Sequence, residues 1–202
     1  AVGVAVGVLI DGHIAFYSST GHQDREAVIP VSRRTMFRWA SISKSLTAIT
    51  LLQLAEQKLL SIDQTVNHYL PGYPPQRTSD GKSHDITLEQ LLTHQSGIVH
   101  YTNGTVQGTP RNYLRPHPFK QVQLALNGFN QSLLVHVPGN AYAYTTRGYI
   151  LLSAVVEQVA RRPFHIQIHQ MIAQPLGMTT LQPDYQWRRI PNRAVGYRKL
   201  TT

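Results

Sequence analysis

Ser41-Ile42-Ser43-Lys44 sets a hydroxyl and an amine three residues apart. On a helix that spacing puts both on one face, one turn apart. A serine at a helix N-terminus lies at the positive end of the dipole, beside N–H groups with no acceptor inside the helix. That environment suits an alkoxide nucleophile and the oxyanion it creates. A neutral amine beside it can take the hydroxyl proton. The same four residues also fit a plain helix start, with Ser41 as cap and Lys44 solvated. Spacing alone favours the plain reading, because 12 serines and 5 lysines in 202 residues give roughly 0.3 chance matches. Ser79-Asp80-Gly81-Lys82 is such a match, in a Gly- and Pro-containing stretch with nothing to fix its geometry.

Other chemistry-bearing residues lead to simpler readings. His165 and His169 are four apart, but no Glu lies between them in zinc-protease order and no third ligand is evident. They read as a surface helix, and neither a metal nor a cofactor is expected. His94 reads as a buried structural residue near the floor of a site rather than as a base. Gly104 and Gly108 lie in a polar loop without a preceding strand, which argues against a phosphate loop. Arg188, Arg189, Arg193, Arg198 and Lys199 form a basic cluster without interleaved aromatic residues or a reading helix. No nucleic acid is expected; the cluster reads as a solvated face or an interface with a further C-terminal region. The chain has no cysteine, which excludes a disulfide framework, thiolate metal sites and Cys nucleophiles. Its net charge of +9 favours acidic partners or surfaces.

These residues need elements to position them. With 42% hydrophobic and 14% charged residues, the 202 residues read as one globular domain spanning 1–202. No run approaches the ~20 apolar residues of a membrane span. The sequence starts at Ala1 in a strand-like pattern, so any signal or transit peptide lies outside it. Val2, Val4, Val6 and Val8 alternate with small residues, and Asp11-Gly12 separates them from Ile14-Ala15-Phe16-Tyr17, a hairpin signal. Ala1, Gly3, Ala5 and Gly7 on the other face suggest a closely packed helix. Leu46, Ile49, Leu52, Ala55 and Leu59 recur at helical spacing and predict a helix from Ile42 to about Leu60. Thr87-Leu88-Glu89-Gln90 has the form of a capping box and opens a short helix that Gly97 ends. Residues 67–85 read as loop. Helices are expected over 119–126, 147–161 with a stripe of Leu152, Val155, Val156 and Val159, and 164–173. Strands first and helices after, without βαβ alternation, make the class α+β.

The run Phe37-Arg38-Trp39-Ala40-Ser41-Ile42-Ser43-Lys44-Ser45-Leu46-Thr47-Ala48 resembles the nucleophile segment of the serine β-lactamase and penicillin-binding protein superfamily, in its class C-like (S12 peptidase) branch. The likeness continues in order through Asp63, Tyr69-Leu70-Pro71, Ile86 to Gly97, Pro138-Gly139, Tyr144-Thr145-Thr146-Arg147-Gly148-Tyr149 and Pro175-Leu176-Gly177-Met178. It covers essentially the whole chain. Within the superfamily, Ala40 to Thr47 and Ser96-Gly97-Ile98-Val99-His100-Tyr101 are similar to LACTB-type proteins.

The resemblance implies an antiparallel sheet flanked by helices plus a mainly helical subdomain. Sheet strands would occupy 1–35, the nucleophile helix and helical region 41–180, and a basic segment 186–202. It implies Ser41 as acyl-forming nucleophile, Lys44 as its hydrogen-bonded partner and Tyr144 as the group that moves the proton to and from the leaving group. Thr146 stands where the family usually has a substrate-binding Asn. A third motif, Lys-Thr-Gly or His-x-Gly, lies in the family downstream of Pro175 to Met178 and is absent up to Thr202. Residues 1–202 are therefore expected to be the N-terminal part of a longer domain whose C-terminal strands lie elsewhere. The implied activity is serine hydrolysis of β-lactams, D-amino-acid peptides or simple esters, without cofactor; the alternative is a catalytically silent scaffold retaining the fold. A small-molecule or peptide substrate, possible self-association through an open sheet edge, and a periplasmic, secreted or mitochondrial-type compartment follow from the same resemblance.

Overall fold

The computed structural model describes residues 1–100, 102–104, 122–185 and 187–197. The contacts divide the chain into two compact units, Ala1–Ala40 with Asp184–Thr202, and Ser41–Pro183.

In the first unit, strands β1 (Gly3–Ile10) and β2 (His13–Asp24) form the hairpin expected around Asp11-Gly12. Both turn residues have positive φ, 51° and 79°, which matches the twist of the flanking strands. A short strand β3 (Ile29–Pro30) pairs with β2, so the order is β1-β2-β3 and β1 has an open edge among the described residues. The small-residue face of β1 does not meet a helix of this unit. Gly7 has nothing near it, whereas a Cβ on Gly3 would lie 2.4 Å from the His22 carbonyl oxygen and 2.6 Å from Val31 Cγ2. Gly3 thus serves close strand approach.

The last described residues join this sheet. Met36 N–H donates to Asn192 O, Ala194 N–H to Met36 O and Val195 N–H to Gln23 O. Asp184 receives both Arg38 and Arg193, the latter at 3.0 Å. Arg193 is therefore ion-paired within the chain rather than part of a solvated basic face. Arg188 and Arg189 are exposed, and Arg198 and Lys199 lie outside the described residues.

The second unit is helical, with α1 (Ser43–Glu56), α2 (Val66–Tyr69), α3 (Leu88–Leu92), α4 (Gln123–Leu126), α5 (Thr146–Ala160) and α6 (Phe164–Ile168). Helix α5 is its centre: Leu151, Leu152, Ala154, Val155 and Val156 are fully buried against Leu51 and Leu54 of α1 and Leu88 and Leu91 of α3. Each such Leu or Val contributes ~1.5–3 kcal/mol on leaving water. Gly148 lets α3 approach, since a Cβ there would meet Leu91 Cδ2 at 3.3 Å.

Several expectations change. Helix α1 buries Thr47, Thr50, Leu51 and Leu54, while Ile49 and Leu52 of the expected stripe are exposed. The helix is apolar on more than one side, so periodicity does not select its core face. It ends at Glu56, not Leu60, because Lys58 turns left-handed (φ 60°). Leu59 N–H then donates to Leu54 O and Lys58 N–H to Ala55 O, a Schellman ending made without glycine. Residues 67–85 are not all loop. Helix α2 overlaps them, and β4 (Gln76–Arg77) pairs with β5 (Ser83–His84) around Gly81 at φ 82°. Such short elements carry no period that a sequence can display. Of the expected 119–126 helix, residues 122–126 are described, and Gln123–Leu126 is helical. The expected 164–173 helix is α6 followed by a π-helical turn, His169–Ala173.

Candidate active site

The chain enters Ser41 through Ala40, whose φ of 46° is costly for a residue with a Cβ. Ser41 lies in a single 3-10 turn, Ala40–Ile42, that runs into α1. This places Ser41 and Lys44 on one side of the helix start, and Lys44 Nζ donates to Ser41 Oγ at 3.3 Å. The Ser41 hydroxyl shares a 2.7 Å hydrogen bond with the phenol of Tyr144, 103 residues away. Lys44 Nζ also donates to Thr146 Oγ1 at 3.2 Å and sits 4.8 Å from the centre of the Tyr144 ring. The four residues singled out in the sequence therefore meet in one cluster. Ser41 is exposed, and Lys44, Tyr144 and Thr146 are half-buried.

The partners of the Ser41 hydroxyl are side chains of Tyr144 and Lys44 rather than a helix amide, which separates it from a plain cap. The second Ser-x-x-Lys copy is different. It lies at the tip of the β4–β5 ribbon, where the exposed Lys82 pairs with Asp80 at 3.3 Å.

Tyr144 is held by the turn that ends α3. The capping box is present as expected: Thr87 accepts from Gln90 N–H and the Gln90 side chain accepts from Thr87 N–H. The helix stops earlier than Gly97, at His94, which adopts φ 59°; Gln95 N–H donates to Gln90 O at 2.7 Å and His94 N–H to Leu91 O. The released strand pairs with the segment before Tyr144, through Val135 N–H to Gly97 O, Gly139 N–H to Gln95 O and Ala143 N–H to His94 O. Gly97, at φ 72°, is required there because a Cβ would lie 2.3 Å from the His136 carbonyl oxygen. Three separated sequence blocks, Thr93 to Gly97, Pro138-Gly139 and Tyr144 to Tyr149, are thus one structural assembly.

Two imidazoles complete it. His94 is half-buried rather than buried; its ring lies 4.5 Å from that of Tyr144 and 5.1 Å from that of Tyr149. His100 is buried and meets the Tyr144 ring edge-on at 5.4 Å. Burial and the nearby Lys44 lower the proton affinity of both, with His100 adding to the effect on His94 and Arg147 to that on His100. The phenol of Tyr144 is made more acidic than an ordinary tyrosine, first by its hydrogen bond with Lys44 and then by that with Ser41. Tyr149 goes the other way through burial, and its hydroxyl donates to Leu92 O. Residues 1–197 match the Beta-lactamase family domain. The chain belongs to the Beta-lactamase family.

Its relatives within that family differ in name. The chain is 31% identical to Esterase EstB of Burkholderia gladioli over 88% of its own length and 46% of that protein. It is 27% identical to the mitochondrial serine beta-lactamase-like protein LACTB of Mus musculus, over 98% of its length and 46% of that protein. The crystal structure of a penicillin binding protein from Bacillus halodurans superposes with a TM-score of 0.78 at 25% identity, over 98% of this chain and 56% of that one. The chain thus spans about half the length of these relatives. The family fold of helices and antiparallel sheets, expected from the motif blocks, is the fold observed. His100 and the tyrosine-facing position of His94 had no spacing signal in the sequence, because each acts on a segment about fifty residues away.

Proposed function

We propose that this chain carries the nucleophile, its proton acceptor and a substrate-contacting hydroxyl of a serine hydrolase that works through an acyl-enzyme. The observation that supports this most directly is the 2.7 Å hydrogen bond between Ser41 Oγ and an acidified Tyr144 phenol, with Lys44 bridging to Ser41 and Thr146. Tyr144, as phenolate, takes the Ser41 proton as Oγ attacks the acyl carbonyl. The ammonium of Lys44, one hydrogen bond from Ser41 and facing the Tyr144 ring, offsets the negative charge on the phenolate. The Ser41 amide, in the first turn where N–H groups lack intrahelical acceptors, is one donor to the resulting oxyanion. Collapse of the tetrahedral intermediate breaks the bond to the leaving group, which receives the proton back from Tyr144. Water then hydrolyses the Ser41 ester by the same proton route.

The substrate classes that fit this chemistry are simple esters, β-lactams and D-amino-acid peptides, and the relatives named as an esterase and a penicillin-binding protein support that range. Thr146 offers a substrate one hydroxyl where an amide side chain would offer both a donor and an acceptor. The test is covalent labelling of the full-length protein by a fluorophosphonate and by a fluorescent penicillin, with the adduct located by mass spectrometry. An adduct on Ser41 that disappears in Ser41→Ala is expected. The variant should remain folded, since an exposed hydroxyl contributes little packing and even a lost cap costs only ~1 kcal/mol. An adduct on another serine, or none, would refute the assignment.

A further inference from the structure

Helix α5 begins immediately after Tyr144, and its first N–H groups have no acceptor within the helix. Gly148 N–H is taken by the Thr145 side chain at 3.4 Å. The amides of Thr145 and Thr146 are taken by imidazoles: Thr145 N–H donates to His94 Nδ1 at 3.2 Å, and Thr146 N–H to His100 Nδ1 at 3.3 Å. A nitrogen that accepts carries no proton, so each ring is neutral with its hydrogen on Nε2. The same two rings contact the Tyr144 ring, His94 at 4.5 Å and His100 edge-on at 5.4 Å. Tyr144 must reach Ser41 and Thr146 must reach Lys44, and both side chains project from this one tripeptide.

We infer that His94 and His100 are positioning residues of the proposed hydrolytic reaction: as neutral acceptors they hold the consecutive amides of Thr145 and Thr146 and so fix Tyr144 against Ser41 and Thr146 against Lys44. This inference rests on the acyl-enzyme reading above. Neither imidazole acts as a base, because its accepting nitrogen faces a backbone amide. The cations around the pair act with this arrangement: the charge of Lys44 in α1 bears on both rings and that of Arg147 in α5 on His100. Among the described residues, the tyrosines whose rings pack against them are Tyr142, Tyr144 and Tyr149, of which Tyr142 meets His94 at 5.8 Å. An imidazolium would add a third cation to this site and turn an acceptor into a donor that opposes the amide.

Asparagine separates the positioning role from mere bulk. Its Oδ1 can occupy the place of Nδ1, it is never protonated, and it tolerates the left-handed backbone that His94 adopts. Leucine at 100 and glutamine at 94 remove the acceptor from that place. In the full-length protein, His94→Asn and His100→Asn are expected to keep the Ser41 labelling rate within a few-fold of wild type. His94→Gln and His100→Leu are expected to lose about 100-fold, the scale of an ångström-sized misplacement. Asparagine variants as impaired as the others, or leucine and glutamine variants that label normally, would overturn the inference. A measurement on the wild-type protein decides independently of variant folding and of activity. With ¹⁵N-labelled histidine at neutral pH, both rings should show an unprotonated Nδ1 and a protonated Nε2; a protonated Nδ1 on either ring overturns the clamp. A wild-type protein with the expected ring states that no acyl probe labels refutes the hydrolytic reading and the positioning role with it, and that outcome is distinct from a clamp that fails in a labelled enzyme.

Discussion

Lys44 interacts with all three other side chains of the cluster, so its removal is a sharper test than its net charge suggests. It donates to Ser41 and Thr146, and its hydrogen bond is the largest cause of the acidified Tyr144 phenol. If Tyr144 acts as base, acylation rises with pH through the Tyr144 ionisation. Lys44→Ala should then move that inflection upward, towards the ordinary tyrosine value of 10, and slow acylation below it. Tyr144→Phe should remove the inflection and cost ~100- to 10,000-fold, the usual scale for lost general base catalysis. A pH–rate profile of p-nitrophenyl ester hydrolysis checks both; an unchanged inflection in Lys44→Ala would exclude Tyr144 as the titrating base. At this scale the sequence displayed Ser41 and Lys44 through a local spacing, and Tyr144 and Thr146 through a motif block. His94 and His100 stood inside motif blocks, His94 already read as a residue near the site floor, but their acceptor roles were silent, because an imidazole that caps a helix fifty residues away leaves no periodic or local trace.

The turn that ends α3 is the element on which the cluster depends. Gly97→Ala would place a Cβ on a backbone with φ 72° and against the His136 carbonyl, so it should cost at least ~1–2 kcal/mol from the left-handed backbone alone. Denaturant unfolding measures this, and a neutral substitution would show that the turn relaxes. The capping of α5 has a pH signature as well. Both His94 and His100 have proton affinities below the ordinary value of 6.5, so below that pH the unfolded chain binds more protons than the folded one. Their contribution is complete above 6.5 and is lost as pH falls towards their lowered native values. Melting temperature should therefore drop on acidification through this window, and less steeply in the double asparagine variant; parallel curves would mean that the rings do not carry the dependence. The hairpin, the capping box and α5 were legible because Asp-Gly, Thr-x-x-Gln and a strong apolar period are local signals. The exposed stripe of α1 and the stops at Lys58 and His94 were not. An all-round apolar helix hides its core face, and left-handed endings on Lys or His look like helix interior.

At the largest scale, the sheet of the first unit presents an open edge. β1 has an unpaired edge among the described residues, and Val4, Val6, Val8, Leu9, Ile10, Ile14 and Phe16 are each at least 40% exposed. A long apolar strand with free backbone N–H and C=O groups is a template for another strand. The chain covers about half of its relatives' length. A second strand, from another copy or another segment, would find its backbone partners on this edge. Residues 1–202 expressed alone should then associate through β1 and, at about half the length of their relatives, show at most trace hydrolysis. Sedimentation velocity and turnover of nitrocefin and a short-chain nitrophenyl ester measure the two effects. Val6→Lys, which puts a charge on the open strand at a position 49% exposed, should shift the population towards monomer without restoring turnover. A monomeric wild-type chain of 202 residues with ordinary turnover would mean that these residues close their own site and that β1 needs no partner strand.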